Sequence, residues 1–191
     1  METLKRTIFI ALSIPVLYSV FTSHRPEKTP NLAAVAMDSS AFDFWVGEWN
    51  ATWTASGTTY HAENDVKRIM KGHFIHESFV ITDGPNKGYK GESFSTLDKQ
   101  NGVWKQTWID NQGAYLDFVG KQEGDVRIFE RSFTNKTGDN IRQRMRFRNI
   151  TRSSFDWDWQ RSKNNGDWQM LWQLRYTKKN HRRNRWPVAC P

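Results

Sequence analysis

From Phe42 to Thr177 the large apolar side chains recur at every second position rather than every third or fourth. Trp45, Trp49 and Trp53 share a parity, as do Trp104 and Trp108. Phe155, Trp157 and Trp159 follow suit, and then Trp168, Met170, Trp172, Leu174 and Tyr176. Successive side chains of an extended chain point to opposite faces, so each set projects to one side of a strand. Between the sets stand DGPNKG (83–88), DKQNG (98–102), DNQG (110–113), EGD (123–125), NKTGD (135–139) and KNNGD (163–167). Glycine supplies positive φ in tight turns, and Asn or Asp bonds its own backbone there. The pattern predicts about ten strands, over 43–54, 59–70, 73–82, 89–98, 102–110, 113–121, 125–133, 141–149, 154–162 and 167–177. No segment has a helical amphipathic period. Short strands at regular spacing imply a sandwich or a barrel.

Charges support one of these hairpins. Arg142, Arg144, Arg146 and Arg148 alternate with Met145 and Phe147, and Asp156 and Asp158 alternate with Phe155, Trp157 and Trp159. An antiparallel register pairing Arg146 with Asp156 and Arg144 with Asp158 would set opposite charges face to face, at ~0.2–1 kcal/mol each. Such a row reads as a solvated outer face rather than a phosphate-binding stripe.

Composition changes the picture in two places. The chain of 191 residues holds 10 Trp, 12 Phe and 5 Tyr, a load of rings that excludes a disordered or low-complexity class. A single cysteine, Cys190, excludes an intrachain disulfide framework and a Cys-rich zinc site. The formal charge of +8 comes from 28 bases against 20 acids, but it gathers at the ends. Residues 42–177 carry 19 bases and 17 acids, so no specific nucleic-acid partner is indicated. Five bases after Thr177 make 178–191 a disordered basic tail with weak, non-specific affinity for anionic surfaces.

The first 36 residues read as leader and linker. Lys5 and Arg6 precede an uncharged apolar run from Thr7 to Thr22, the form of a signal-peptide core and short for a membrane span. An exported protein, periplasmic or secreted, is the expectation; an uncleaved anchor is the alternative.

The segment Phe42-Asp43-Phe44-Trp45-Val46-Gly47-Glu48-Trp49 resembles the opening of a bacterial calycin-like family, lipocalin-like in fold and without an established activity. Further elements follow in order: Gly72-His73-Phe74-Ile75-His76-Glu77, Gly91 through Leu97-Asp98, Trp104, and Thr107-Trp108-Ile109-Asp110. The resemblance covers roughly 42–177 and implies an all-β, antiparallel up-and-down calycin-like barrel of about ten strands. It also implies that Trp49 of Gly47-Glu48-Trp49 closes one end, with Arg175 packed across the indole in a structural role. The nitrobindins, more distant, hold haem through a histidine near the C-terminus. The last histidine here, His181, falls in the basic tail, so no cofactor is expected.

Candidate site residues follow from parity. Glu77 shares parity with Ile75, Phe79 and Ile81, and Gln106 and Asp110 share it with Trp104 and Trp108. An inward Glu77, its pKa raised by burial, would bind a ligand or move a proton, alongside Gln106 and Asp110. Equally, Asp110 can serve only the DNQG turn, and Glu77 can bond a neighbouring Trp or Arg. Trp104, Trp108, Trp157 and Trp159 either fill the barrel or line a cavity for an apolar or aromatic molecule. His73 and His76 point to opposite faces of one strand and His61 lies on another, so no metal site is expected. The function that results is binding of a small, mainly apolar molecule. Two rivals remain: an enzyme using Glu77 as general acid or base, and an envelope protein acting through its tail.

Overall fold

The computed structural model describes residues 37–180, so the leader and most of the basic tail lie outside the described residues. Ten strands form one sheet: β1 (Gly47–Ala55), β2 (Thr58–Ile69), β3 (Phe74–Ile81), β4 (Lys90–Asp98), β5 (Val103–Asp110), β6 (Tyr115–Glu123), β7 (Val126–Thr134), β8 (Asn140–Arg148), β9 (Ser154–Lys163) and β10 (Gln169–Lys178). Each pairs antiparallel with its neighbours in sequence, and β1 pairs with β10 to close the barrel. This is the calycin-like up-and-down architecture, with the alternate residues of every strand turned inward. Closure is partial along the seam, where β1 and β10 pair only over Trp49–Thr52 and Arg175–Lys178.

One end is plugged by the chain that enters it. Phe42-Asp43-Phe44-Trp45 does not begin a strand. Asp43–Trp45 is a single 3-10 turn, closed by the Trp45 and Val46 N–H groups donating to the Phe42 and Asp43 carbonyls. The turn drops Phe42 into the barrel, stacked on Phe129 at 4.4 Å between ring centres and edge-on to Trp104 at 5.1 Å. The Trp104 indole donates to the Asp38 carbonyl and Arg127 Nε to the Ala41 carbonyl, each at 3.1 Å. The folded body therefore begins before Phe42, the predicted start of the barrel.

Gly47 sits where chain direction changes. Its φ of +146° is open to glycine, and a Cβ there would meet the Lys178 side chain at 2.9 Å. The adjacent Trp49 is fully buried and donates from Nε1 to the Trp45 carbonyl at 2.8 Å. Its cationic neighbour is not Arg175. Leu174 and Tyr176 face inward, so Arg175 must face outward, where it bonds Asp156 and Ser154 at 2.7 Å. Lys178, opposite Trp49 in the register, stands 5.4 Å from its ring centre instead. The last strand also outruns Thr177, because the Lys179 N–H donates to the Glu48 carbonyl at 2.8 Å.

Two further expectations are corrected on the outer face. The arginine and aspartate rows do meet, but slipped by two: Arg146 pairs with Asp158 and Arg148 with Asp156. Arg148 grips the buried Asp158 carboxylate at 2.8 and 3.1 Å. Arg144 bonds Gln160 at 2.7 Å and lies 3.9 Å from the Trp168 ring centre. The row is thus half-buried and internally paired. Trp168 and Met170 belong to this outer surface, because a register shift between Met170 and Trp172 breaks the parity that appeared to carry them inward.

Candidate functional site

The plug fills one half of the barrel with rings, and the other half holds a cavity of about 160 Å³. Trp108, Trp157, Trp159 and Trp172 form its walls, with Phe79, Phe118, Leu116 and Met145 between them. Trp45 and Tyr176 lie toward the plugged end; Tyr89 and Asp110 stand at the opposite rim. The walls are preset by close packing. Trp172 meets Trp157 and Trp53 edge-on at 5.9 and 5.2 Å between centres. Trp108 lies over Gly91, where any Cβ would stand 1.9 Å from the indole. Gly91 therefore leaves room for that ring.

Glu77 reaches the cavity from the middle of β3, opposite Ser93 of β4. It accepts from Asn64 Nδ2 and from Ser93 Oγ, both at 2.8 Å. Gln106 Nε2 donates to Ser95 Oγ at 3.0 Å and to Ser93 Oγ at 3.3 Å, which extends one polar row across β2, β3, β4 and β5. All five side chains are buried. Burial pushes the Glu77 carboxyl up to about 7, and the two neutral donors only partly oppose it. Tyr176 is also driven up, first by burial and then by the Glu77 charge. The partners of Glu77 are thus an amide and a hydroxyl, not the Trp or Arg considered from sequence.

Asp110 combines the two roles that the sequence set against each other. Oδ1 accepts the Gln112 and Ala114 N–H groups of the turn at 2.9 and 3.0 Å, while Oδ2 accepts Tyr89 Oη at 2.9 Å and the Trp108 indole at 3.4 Å. Partial burial raises its pKa, but these donors outweigh that and hold the carboxyl below its ordinary value. The Tyr89 phenol is in turn held protonated by burial and by Asp110.

Of the residues singled out from parity, the structure brings Glu77, Trp108, Asp110, Trp157 and Trp159 to the cavity. Trp104 and Gln106 do not line it. Trp104 packs under the plug, and Gln106 stands behind Ser93 and Ser95 as support for Glu77. Sequence reasoning missed Asn64, Tyr89 and Phe118; only Asn64 and Phe118 carried the period-two signal that could have marked them. Trp45 has a buried Nε1 without a hydrogen-bond partner in the structure. Away from the cavity, His61 pairs with Asp83 and His76 with Glu92, and no group of three metal-ligating side chains occurs among the described residues.

The geometry defines an aromatic-walled cavity in a closed barrel, with one buried carboxyl poised near neutrality and a second, ionised one at the rim. Compared with known proteins, the chain matches no family model and no curated protein.

Proposed function

We propose that this protein binds a small, mainly apolar or aromatic molecule in the tryptophan-lined cavity, as an exported carrier or sensor. The observation that carries this reading is the cavity itself. Its walls are rigid rings, and a site of about 160 Å³ is close to the ~150 Å³ apolar cavity known to accept benzene. The ligand is therefore ring-sized, and a long acyl chain exceeds the site. At roughly 0.8 kcal/mol per heavy atom, a ligand of about ten heavy atoms would bind near micromolar strength. Trp45 Nε1 would find its acceptor on the ligand or on water.

Titration of the protein with indole or naphthalene, read by quenching of tryptophan emission, tests the reading. Saturable quenching by the bicyclic probes and none by a C16 fatty acid is expected. Absence of any saturable response to ring-sized probes overturns it. A second reading, catalysis with Glu77 as general acid or base, draws on the titration of that carboxyl near 7. It would require Glu77→Gln to abolish turnover while binding persists. Action through the basic tail and export both rest on segments outside the described residues.

A further inference from the structure

We infer that the ligand is a small organic cation, a compact alkylated ammonium held against the tryptophan faces with Glu77 as its counter-charge. This rests on the reading of the cavity as a ligand site and names the class of ligand. Nine of the thirteen lining residues are aromatic, so ring quadrupoles, which attract a cation at the ring face, dominate the walls. Trp faces attract cations most strongly, and more so when desolvated. The charged groups in the lining are Glu77 and Asp110, both acids; among the described residues no Lys, Arg or His lines the cavity. A neutral ligand needs neither. A buried carboxyl raises the cost of the empty site, and a bound cation is the partner that would offset it.

Among the described residues no basic side chain hydrogen-bonds Glu77. From β2 it meets Asn64, from β4 Ser93, and from β10 the Tyr176 phenol, none of them basic. The phenol of Tyr89, also sensitive to the Glu77 charge, is committed to Asp110. Arg131 lies against one wall ring from behind the lining, its guanidinium 5.9 Å from the Phe118 ring centre and 4.6 Å from that of Phe133. It is outside the cavity lining, and its charge interacts with Asp117. Elsewhere too the barrel seats cations on rings, as Lys178 over Trp49 and Arg144 over Trp168 show. The cavity walls offer rings of the same kind.

Phenyltrimethylammonium and tert-butylbenzene have the same shape and differ in charge, so they separate this inference from the one beneath it. Both are titrated into the full-length protein at pH 8.5 and 5.5, with tryptophan quenching as readout. The cation should bind at least tenfold more tightly than its neutral isostere at pH 8.5. Its affinity should fall about tenfold for each pH unit below 7, as protonation of Glu77 removes the counter-charge. Glu77→Gln should erase that pH dependence and cost the cation tenfold or more. Equal affinities, or a preference for tert-butylbenzene at both pH values, overturn the cation while the binding reading survives. If neither probe binds, both fall. The wild-type comparison decides these outcomes even where the variant fails to fold.

Discussion

Glu77 makes the stability of the empty barrel depend on pH in an unusual direction, and Glu77→Gln should expose it. The folded state keeps the carboxyl protonated up to about 7, whereas the unfolded chain releases the proton near 4.5. Between these values the folded state binds one more proton than the unfolded state, so stability falls as pH rises. The whole displacement, at about 1.4 kcal/mol for each tenfold change, is worth about 3 kcal/mol, of which about 2 kcal/mol falls between pH 5.5 and 7.5. Most other perturbed carboxylates act oppositely. Asp83, Asp98, Asp110, Asp139 and Asp156 are held low in the fold, and their contribution is complete above about pH 5.

The assay is urea unfolding of wild type and Glu77→Gln at half-unit steps from pH 5 to 8, followed by tryptophan emission. The difference between the two proteins cancels every group they share. Glutamine keeps an oxygen for Asn64 and offers an amide to Ser93, so it preserves the row of hydrogen bonds without the ionisation. The expected result is that the variant gains on wild type by about 2 kcal/mol from pH 5.5 to 7.5, at constant m-value. Two parallel stability curves would refute the reasoning, because they would mean that Glu77 ionises as freely in the fold as in the unfolded chain.

Three further outcomes are expected. Trp49→Ala should cost ~3–5 kcal/mol in chemical denaturation, as truncation of a fully buried aromatic does, while Arg175→Ala, which breaks an outward ion pair, should cost at most ~1 kcal/mol. Gly91→Ala should destabilise by ~1–3 kcal/mol, because the new methyl displaces the Trp108 ring, and should weaken naphthalene quenching together with stability. Truncation after Thr177 should lower stability by ~1–3 kcal/mol, since it removes the Lys178 and Lys179 N–H groups from the carbonyls of Ser153 and Glu48; an unchanged melting temperature would show that these contacts carry no weight.

The strand count and nearly every strand boundary were legible because two independent signals, period-two rings and Gly/Asn turns, agreed. Parity reports only which face a side chain takes. A 3-10 turn can carry aromatic residues in the same spacing as a strand, so Phe42–Trp45 looked like strand when it was plug. A single bulge resets parity, which is why Trp168 and Met170 were assigned inward. A slip of two residues preserves parity, so the arginine and aspartate faces were legible while their pairing was not. The turn Thr151–Ser154, tied by Thr151 Oγ1 to the Ser154 N–H, accompanies the observed pairing. Depth along the axis is equally invisible to parity. Trp104 and Trp108 share a face, yet four residues at ~3.3 Å each put them about 13 Å apart along the strand, one under the plug and one at the cavity.

The two halves of the barrel solve the same packing problem differently, and that contrast bears on function. At the plugged end Phe42, Phe129, Phe147 and Phe155 interlock with Trp49 and Trp104, so this sheet can be closed over rings alone. A fold under pressure for stability alone would continue that pattern. Instead the other half leaves about 160 Å³ unfilled and sets a carboxyl beside it that burial holds near neutrality. Asn64, Ser93, Ser95 and Gln106 are then buried in support, each at a desolvation cost that apolar residues would avoid. Cavity and polar row each lower stability, and the proposed ligand between the tryptophans would give both a purpose. Their occurrence together, on strands that elsewhere pack without either, supports the proposal that this interior serves binding rather than closure.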